Sequence, residues 1–124
     1  MKILFLDDNL ERTKLARRGL FKHQTTCVTT ARECIGYLEE DNFKVLFLDH
    51  DLGDEVYQNS SCSNCGMEVV RWIDKNRPDI ELIIVHSMNE PAAKLMLETL
   101  KSAGYHTCHM PFGTFKFETL LKED

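Results

Sequence analysis

Residues 45–51 read Val45-Leu46-Phe47-Leu48-Asp49-His50-Asp51. The first four are apolar without alternation, and the last three place an imidazole between two carboxylates. A strand is continuously apolar when both of its faces are covered, as in a parallel sheet between layers of helix. The same pattern recurs on either side, in Ile3–Leu6 before Asp7 and Asp8 and in Leu82–Val85 before His86 and Ser87. Thr25–Thr29 and Tyr105–Met110 carry weaker strand patterns.

Helical spacing fills the gaps. Leu10–Lys22 has Leu15, Ala16, Gly19 and Leu20 on one stripe, with Arg12, Lys14, Arg17 and Arg18 largely off it. Those four charges read as the solvated face of an amphipathic helix, and less often as a face for a phosphorylated ligand or a kinase partner. Thr30 and Glu33 form a capping box ahead of Cys34, Ile35 and Leu38. Met67–Asn76 turns Val69, Val70 and Ile73 inward and stops at Pro78. Asn89 caps a helix that runs to Ala103, with Ala93, Met96, Leu97 and Leu100 as its buried stripe. Thr114 caps a short last helix with Phe117, Leu120 and Leu121. Strand and helix alternate throughout, which predicts a single α/β domain over 1–124. Its architecture is a doubly wound, five-stranded parallel sheet of order 2-1-3-4-5 with helices on both faces.

The 124 residues suit one domain. Apolar residues are 43% and charged residues 28%, which excludes a disordered chain. A net charge of −5 disfavours a nucleic-acid duplex as partner, because phosphate contacts need a basic footprint. No apolar run approaches a membrane span, and the opening apolar run meets Asp7 and Asp8 too soon for a signal-peptide core. With an odd number of cysteines, these features favour a cytoplasmic location.

In an open α/β sheet, ligands bind outside the carboxyl ends of the strands. Here those ends carry Asp7, Asp8, Asp49, Asp51, His86 and Ser87. Carboxylates crowded together call for a cation, and oxygen donors suit Mg²⁺ or Mn²⁺. The plainer reading is that the strand-terminal aspartates cap the following helices.

The runs ILFLDD (3–8), LFLDHDLG (46–53), IIVHSMN (83–89) and HMPFG (109–113) resemble a receiver domain of two-component signalling, over the whole chain and in order. The resemblance implies the flavodoxin-like fold. It implies that Asp7 and Asp8 position Mg²⁺, that Asp49 is the phosphoacceptor, that Asp51 lends a backbone carbonyl to the metal, and that Ser87 contacts the phosphoryl group. Receivers carry a lysine where this chain has Met110. The histidines at 50 and 86, and the Asp-His-Asp-Leu-Gly and His-Ser-Met-Asn runs, look more like the divergent cyclic-phosphate-processing receiver domains. That branch implies metal-dependent hydrolysis of a cyclic phosphate or cyclic nucleotide.

Under that reading Asp49, His50, His86 and Ser87 are the catalytic candidates, with Ser87, Asn89 and His109 at the phosphate. A histidine suits the proton transfer that an alkoxide leaving group requires. Strand alternation, however, sends His50 to the face opposite Asp49 and His86 opposite Ser87. The alternatives are a stand-alone receiver phosphorylated on Asp49 and a degenerate receiver that docks to a protein partner. Cys62 and Cys65 have half a zinc-knuckle spacing, which Cys108 with His106 or His109 would complete, or they are two free thiols in the polar loop Gly53–Gly66. A redox pair is disfavoured because such pairs open a helix. Cys27 and Cys34 read as small core residues.

Overall fold

The computed structural model describes residues 1–53 and 59–121. The elements follow in the order β1 (Lys2–Leu6), α1 (Leu10–Gly19), β2 (Gln24–Val28), α2 (Ala31–Glu40), β3 (Val45–Leu48), α3 (Gly66–Asn76), β4 (Leu82–Val85), α4 (Glu90–Ser102), β5 (Thr107–His109) and α5 (Phe117–Leu120). The five strands form one sheet of order β2-β1-β3-β4-β5, parallel at every pairing. This is the expected doubly wound sheet. Within the long polar loop, residues 54–58 lie outside the described residues.

The continuous apolar strands serve two cores at once. Leu4, Leu6, Leu46, Leu48, Ile83 and Val85 point to one face, against Cys34, Leu38, Val70, Ile73 and Met96 from α2, α3 and α4. Ile3, Phe5, Val45, Phe47 and Ile84 point to the other, against Ala16, Leu20 and Phe117. Successive side chains on a strand alternate between faces. Continuing the series past the strand ends therefore carries Asp7, Asp49 and His86 to the face of α1 and α5, and His50 and Ser87 to the face of α2, α3 and α4.

The helix starts obey their caps. Asn9 accepts from Arg12 N at 3.0 Å and opens α1. Thr30 Oγ1 accepts from Glu33 N at 3.1 Å, while Glu33 reaches back to Thr29 and Thr30. Asn89 Oδ1 accepts from Ala92 N at 3.3 Å.

The structure departs from the sequence reading in several places, α1 and α5 among them. Helix α1 stops at Gly19 rather than Lys22, with Leu20 as its C-cap, and Gly19 lies flat against α5, where a Cβ would fall 2.3 Å from Cβ of Phe117. Leu15, expected on the buried stripe, is 46% exposed. Lys116 rather than Thr114 precedes α5, since the Thr114 hydroxyl donates to Pro111 O inside the preceding turn. Among the described residues no helix is long and apolar enough to cross a membrane.

Candidate functional site

Asp7, Asp49 and His86 converge at the carboxyl ends of β1, β3 and β4, all buried, with potential ligand atoms within 4.8 Å of one another. His86 Nε2 lies 3.0 Å from Asp7 Oδ2. The ring stacks on Phe5 at 4.9 Å between centroids with a 7° interplanar angle, and meets Phe112 edge-on at 6.2 Å. Its other nitrogen, Nδ1, is buried without a hydrogen-bond partner.

Arg12 spans the two carboxylates. Its Nη2 donates to Asp7 Oδ1 at 3.0 Å and reaches Asp49 Oδ2 at 3.4 Å. Its Nε makes an ion-pair contact with Asp7 Oδ2 at 2.8 Å, without the alignment of a hydrogen bond. The guanidinium also lies 5.7 Å from the centroid of Phe112. Arg12 is the residue that the sequence reading placed among the solvated charges of α1. The available signal was its position one turn into a helix that starts at the acidic pair, so that a long side chain there reaches back over the strand end.

The two carboxylates differ in character. Burial opposes the charge on Asp7, but the hydrogen bond and charge of His86, together with Arg12 and the Asn9 N–H, hold its pKa below the ordinary carboxylate range. Among the described residues Asp49 has His50 N at 2.9 Å and the long Arg12 contact as its hydrogen-bond partners. Burial pushes its pKa up to about 6, assisted by the nearby Asp7 charge and opposed by His86 and Arg12. A buried carboxylate with so little compensation is a donor suited to a hard cation. Asp7 offers less, since Asn9, Arg12 and His86 already engage both of its oxygens.

The remaining candidates form a second cluster on the other face. His50 is fully buried, with Nδ1 2.8 Å from Asp51 Oδ1 and Nε2 3.3 Å from Ser60 Oγ. Asn89 Nδ2 donates to the same Asp51 oxygen at 3.1 Å, and Asn89 N donates to Ser87 Oγ at 3.0 Å. His109 Nε2 donates to the Ser87 carbonyl at 2.7 Å. The two faces separate as strand alternation predicted: His86 joins Asp7 and Asp49, whereas His50, grouped with them as a catalytic candidate, joins Asp51 and Asn89.

Cys62 and Cys65 are joined as a disulfide, with Cα atoms 5.9 Å apart, rather than held as free thiols. Contrary to expectation the pair does open a helix: α3 starts at Gly66 with Cys65 as its N-cap. Gly66 makes this possible, because a Cβ there would lie 2.0 Å from the Asp49 carbonyl oxygen. Cys108 does not join them. It lies on β5 against the Phe5–Phe47 core on the opposite face, as does Met110. Cys34 is buried as expected, and burial pushes its thiol out of the titrating range.

The family model for the cyclic-phosphate processing receiver domain matches residues 2–102. The chain belongs to that family. No curated protein matches it by sequence. Among solved structures, this receiver domain is similar to the CheY-like response regulator receiver domain protein from Methanospirillum hungatei JF-1, with 18% identity, a TM-score of 0.64, and coverage of 90% of this chain and 81% of that one. It is similar to the BeF3-activated receiver domain of DrrB from Thermotoga maritima, with 21% identity, a TM-score of 0.65, and coverage of 96% and 89%. It is also similar to the Mn²⁺-bound form of the response regulator Rcp1, with 16% identity, a TM-score of 0.61, and coverage of 89% and 79%. At these identities the likeness establishes the receiver fold.

Proposed function

We propose that this receiver-like domain hydrolyses a cyclic phosphate or cyclic nucleotide at the Asp7–Asp49–His86 pocket with a bound Mg²⁺ or Mn²⁺. The observation that carries the reading is His86: Nε2 is held by the Asp7 carboxylate and Nδ1 has no partner. A carboxylate that fixes one ring nitrogen and leaves the other without a partner is an arrangement that supports a general acid–base role. The Mn²⁺-bound form of Rcp1 shares this fold, which supports a divalent ion as the metal.

Asp8, Asp49 and the Asp51 carbonyl would hold the cation, which would polarise the phosphate oxygens. Arg12, at the solvent boundary above the buried carboxylates, supplies the positive charge that Met110 cannot. In the reaction, water adds to phosphorus, the P–O bond to the leaving alkoxide breaks, and that alkoxide takes a proton. His86 moves the proton through Nδ1. His50 has no part in this, since its ring faces Asp51 and Ser60.

A second reading, a stand-alone receiver phosphorylated on Asp49, is favoured by the BeF3-activated relative and by the place of Asp49 at the end of the central strand. The test incubates the protein with 2′,3′-cyclic phosphates and cyclic nucleotides in Mg²⁺ or Mn²⁺, alongside a small-molecule phosphodonor. Turnover that depends on the metal and on His86 supports hydrolysis. A long-lived phosphoryl adduct on Asp49 without turnover selects the receiver instead.

A further inference from the structure

We propose that the reduced Cys62–Cys65 pair and His50 form a binding site for a thiophilic divalent cation of the Zn²⁺ class, separate from the acidic pocket. Three features on the α2–α3–α4 face converge on it. The two sulfurs and a His50 ring nitrogen lie within 4.8 Å of one another. His50 is also prepared as a ligand. Its Nδ1 faces Asp51 Oδ1 at 2.8 Å, and that carboxylate oxygen also accepts from Asn89, which fixes the ring with Nε2 on the side of Ser60 Oγ. A carboxylate on the far nitrogen is the usual support of a metal-bound histidine.

The frame is fixed as well. The Asp51–Cys65 β-bridge and the hydrogen bond from Gly66 N to His50 O, 2.9 Å long, tie the cysteine segment to the end of β3. Arg71 donates to the carbonyl oxygens of Ser60 and Cys62 and to Glu68 Oε2, which holds the segment from the α3 side. Cys65 is the N-cap of α3, so its place is set by the start of that helix.

Ser60 Oγ stands where a fourth ligand belongs. Nitrogen and oxygen ligands about 2.0–2.1 Å from a tetrahedral Zn²⁺ are about 3.3 Å apart. The separation of Ser60 Oγ from His50 Nε2 is 3.3 Å. The sulfurs are bonded to each other in the oxidised chain. Opening that bond takes two electrons and two protons from a dithiol, which leaves as a cyclic disulfide. Zn²⁺ binding then displaces the two thiol protons. Oxidised chain and metal-bound chain are therefore mutually exclusive.

The test uses the full chain reduced with a phosphine and titrated with Co²⁺, with Zn²⁺ as competitor. Thiolate-to-cobalt charge-transfer absorption saturating near about one equivalent, with the visible bands of tetrahedral cobalt, is expected. It should be lost on adding Zn²⁺ and absent from the oxidised chain. Carboxylates give no such charge-transfer band, so the acidic pocket cannot mimic the result, and failure of cyclic-phosphate hydrolysis would leave it standing. Asp51→Asn should weaken cobalt affinity about 10- to 100-fold, and His50→Ala should change the visible bands. His50→Asn replaces the alanine variant if circular dichroism shows that it does not fold. No thiolate–cobalt absorption in the reduced wild type, or an affinity and spectrum unchanged in the His50 and Asp51 variants, overturns the proposal.

Discussion

His86 Nε2 lies 3.0 Å from Asp7 Oδ2, although β1 and β4 are not neighbours in the sheet. Strand β3 runs between them, so the contact passes over the end of β3, where Asp49 stands. The imidazole and the arginine thus enclose one carboxylate while satisfying another.

His86→Gln should therefore lower cyclic-phosphate turnover about a hundredfold or more, the scale of general acid–base help, while divalent-metal affinity changes little. Steady-state rates against pH, with metal binding measured in parallel, check this. The His50→Ala variant should keep its turnover within a few-fold of wild type. A hundredfold loss there instead would move the proton-transfer role to the other face.

Asp49 should make the metal-free protein less stable as the pH rises. Its folded pKa is raised from 3.8 to about 6, so the folded state binds a proton more readily than the unfolded chain. The resulting stability is present below pH 4 and is lost as the pH rises through 6, with an upper bound of about 3 kcal/mol. Asp49→Asn removes this loss. In chelator, the difference in Tm between variant and wild type should grow in favour of the variant between pH 4 and 7. Parallel profiles would contradict it. Asp7 behaves oppositely: its lowered pKa contributes stability above the ordinary carboxylate range that is lost as acid protonates it.

Arg12→Ala should tighten Mg²⁺ or Mn²⁺ several-fold, because the guanidinium competes with a cation for the same carboxylates. It should also weaken phosphate binding, since a charge-assisted partner is lost. Calorimetric titration of each ligand separates the two effects. For wild type the metal should bind more tightly as the pH rises through about 6, where Asp49 gives up its proton. Asp49→Asn should abolish most of that dependence.

Gly66→Ala tests the contact that seats α3. The added Cβ would stand 2.0 Å from the Asp49 carbonyl oxygen and 2.8 Å from Met96 Cε. The methionine end can move, but the backbone oxygen at the end of β3 cannot without disturbing the pocket. A loss of about 3 kcal/mol or more is expected by chemical denaturation, at the upper end of overpacking costs.

The strand ends were legible because burial on two faces leaves an apolar run that no other element of that length needs. Ile3–Leu6, Val45–Leu48 and Leu82–Val85 all became strands, with β1 extended by Lys2. Asp7, Asp49 and His86 were therefore placed at the correct end of the sheet. Alternation also put His50 away from Asp49, as observed. Arg12 was hidden because its neighbours Glu11 and Lys14 are exposed, and a helical wheel does not register a side chain long enough to fold back over its own N-terminus. The start of α3 was hidden because Gly66, a weak helix former in propensity, is required there by a close approach that only tertiary structure creates.

Asp7 and His86 are separated by 79 positions. Ribosomes add about 5–20 residues per second, so on the order of ten seconds pass between the synthesis of the carboxylate and that of its imidazole. During that interval β1 can pair with β2 and then β3 as each emerges, and Asp7 can engage Arg12 and the Asn9 N–H, but its His86 partner is still missing. The pocket is therefore the last part of this half of the sheet to close during translation. A nascent chain halted before β4 should expose both aspartates to solvent, on a partly assembled sheet.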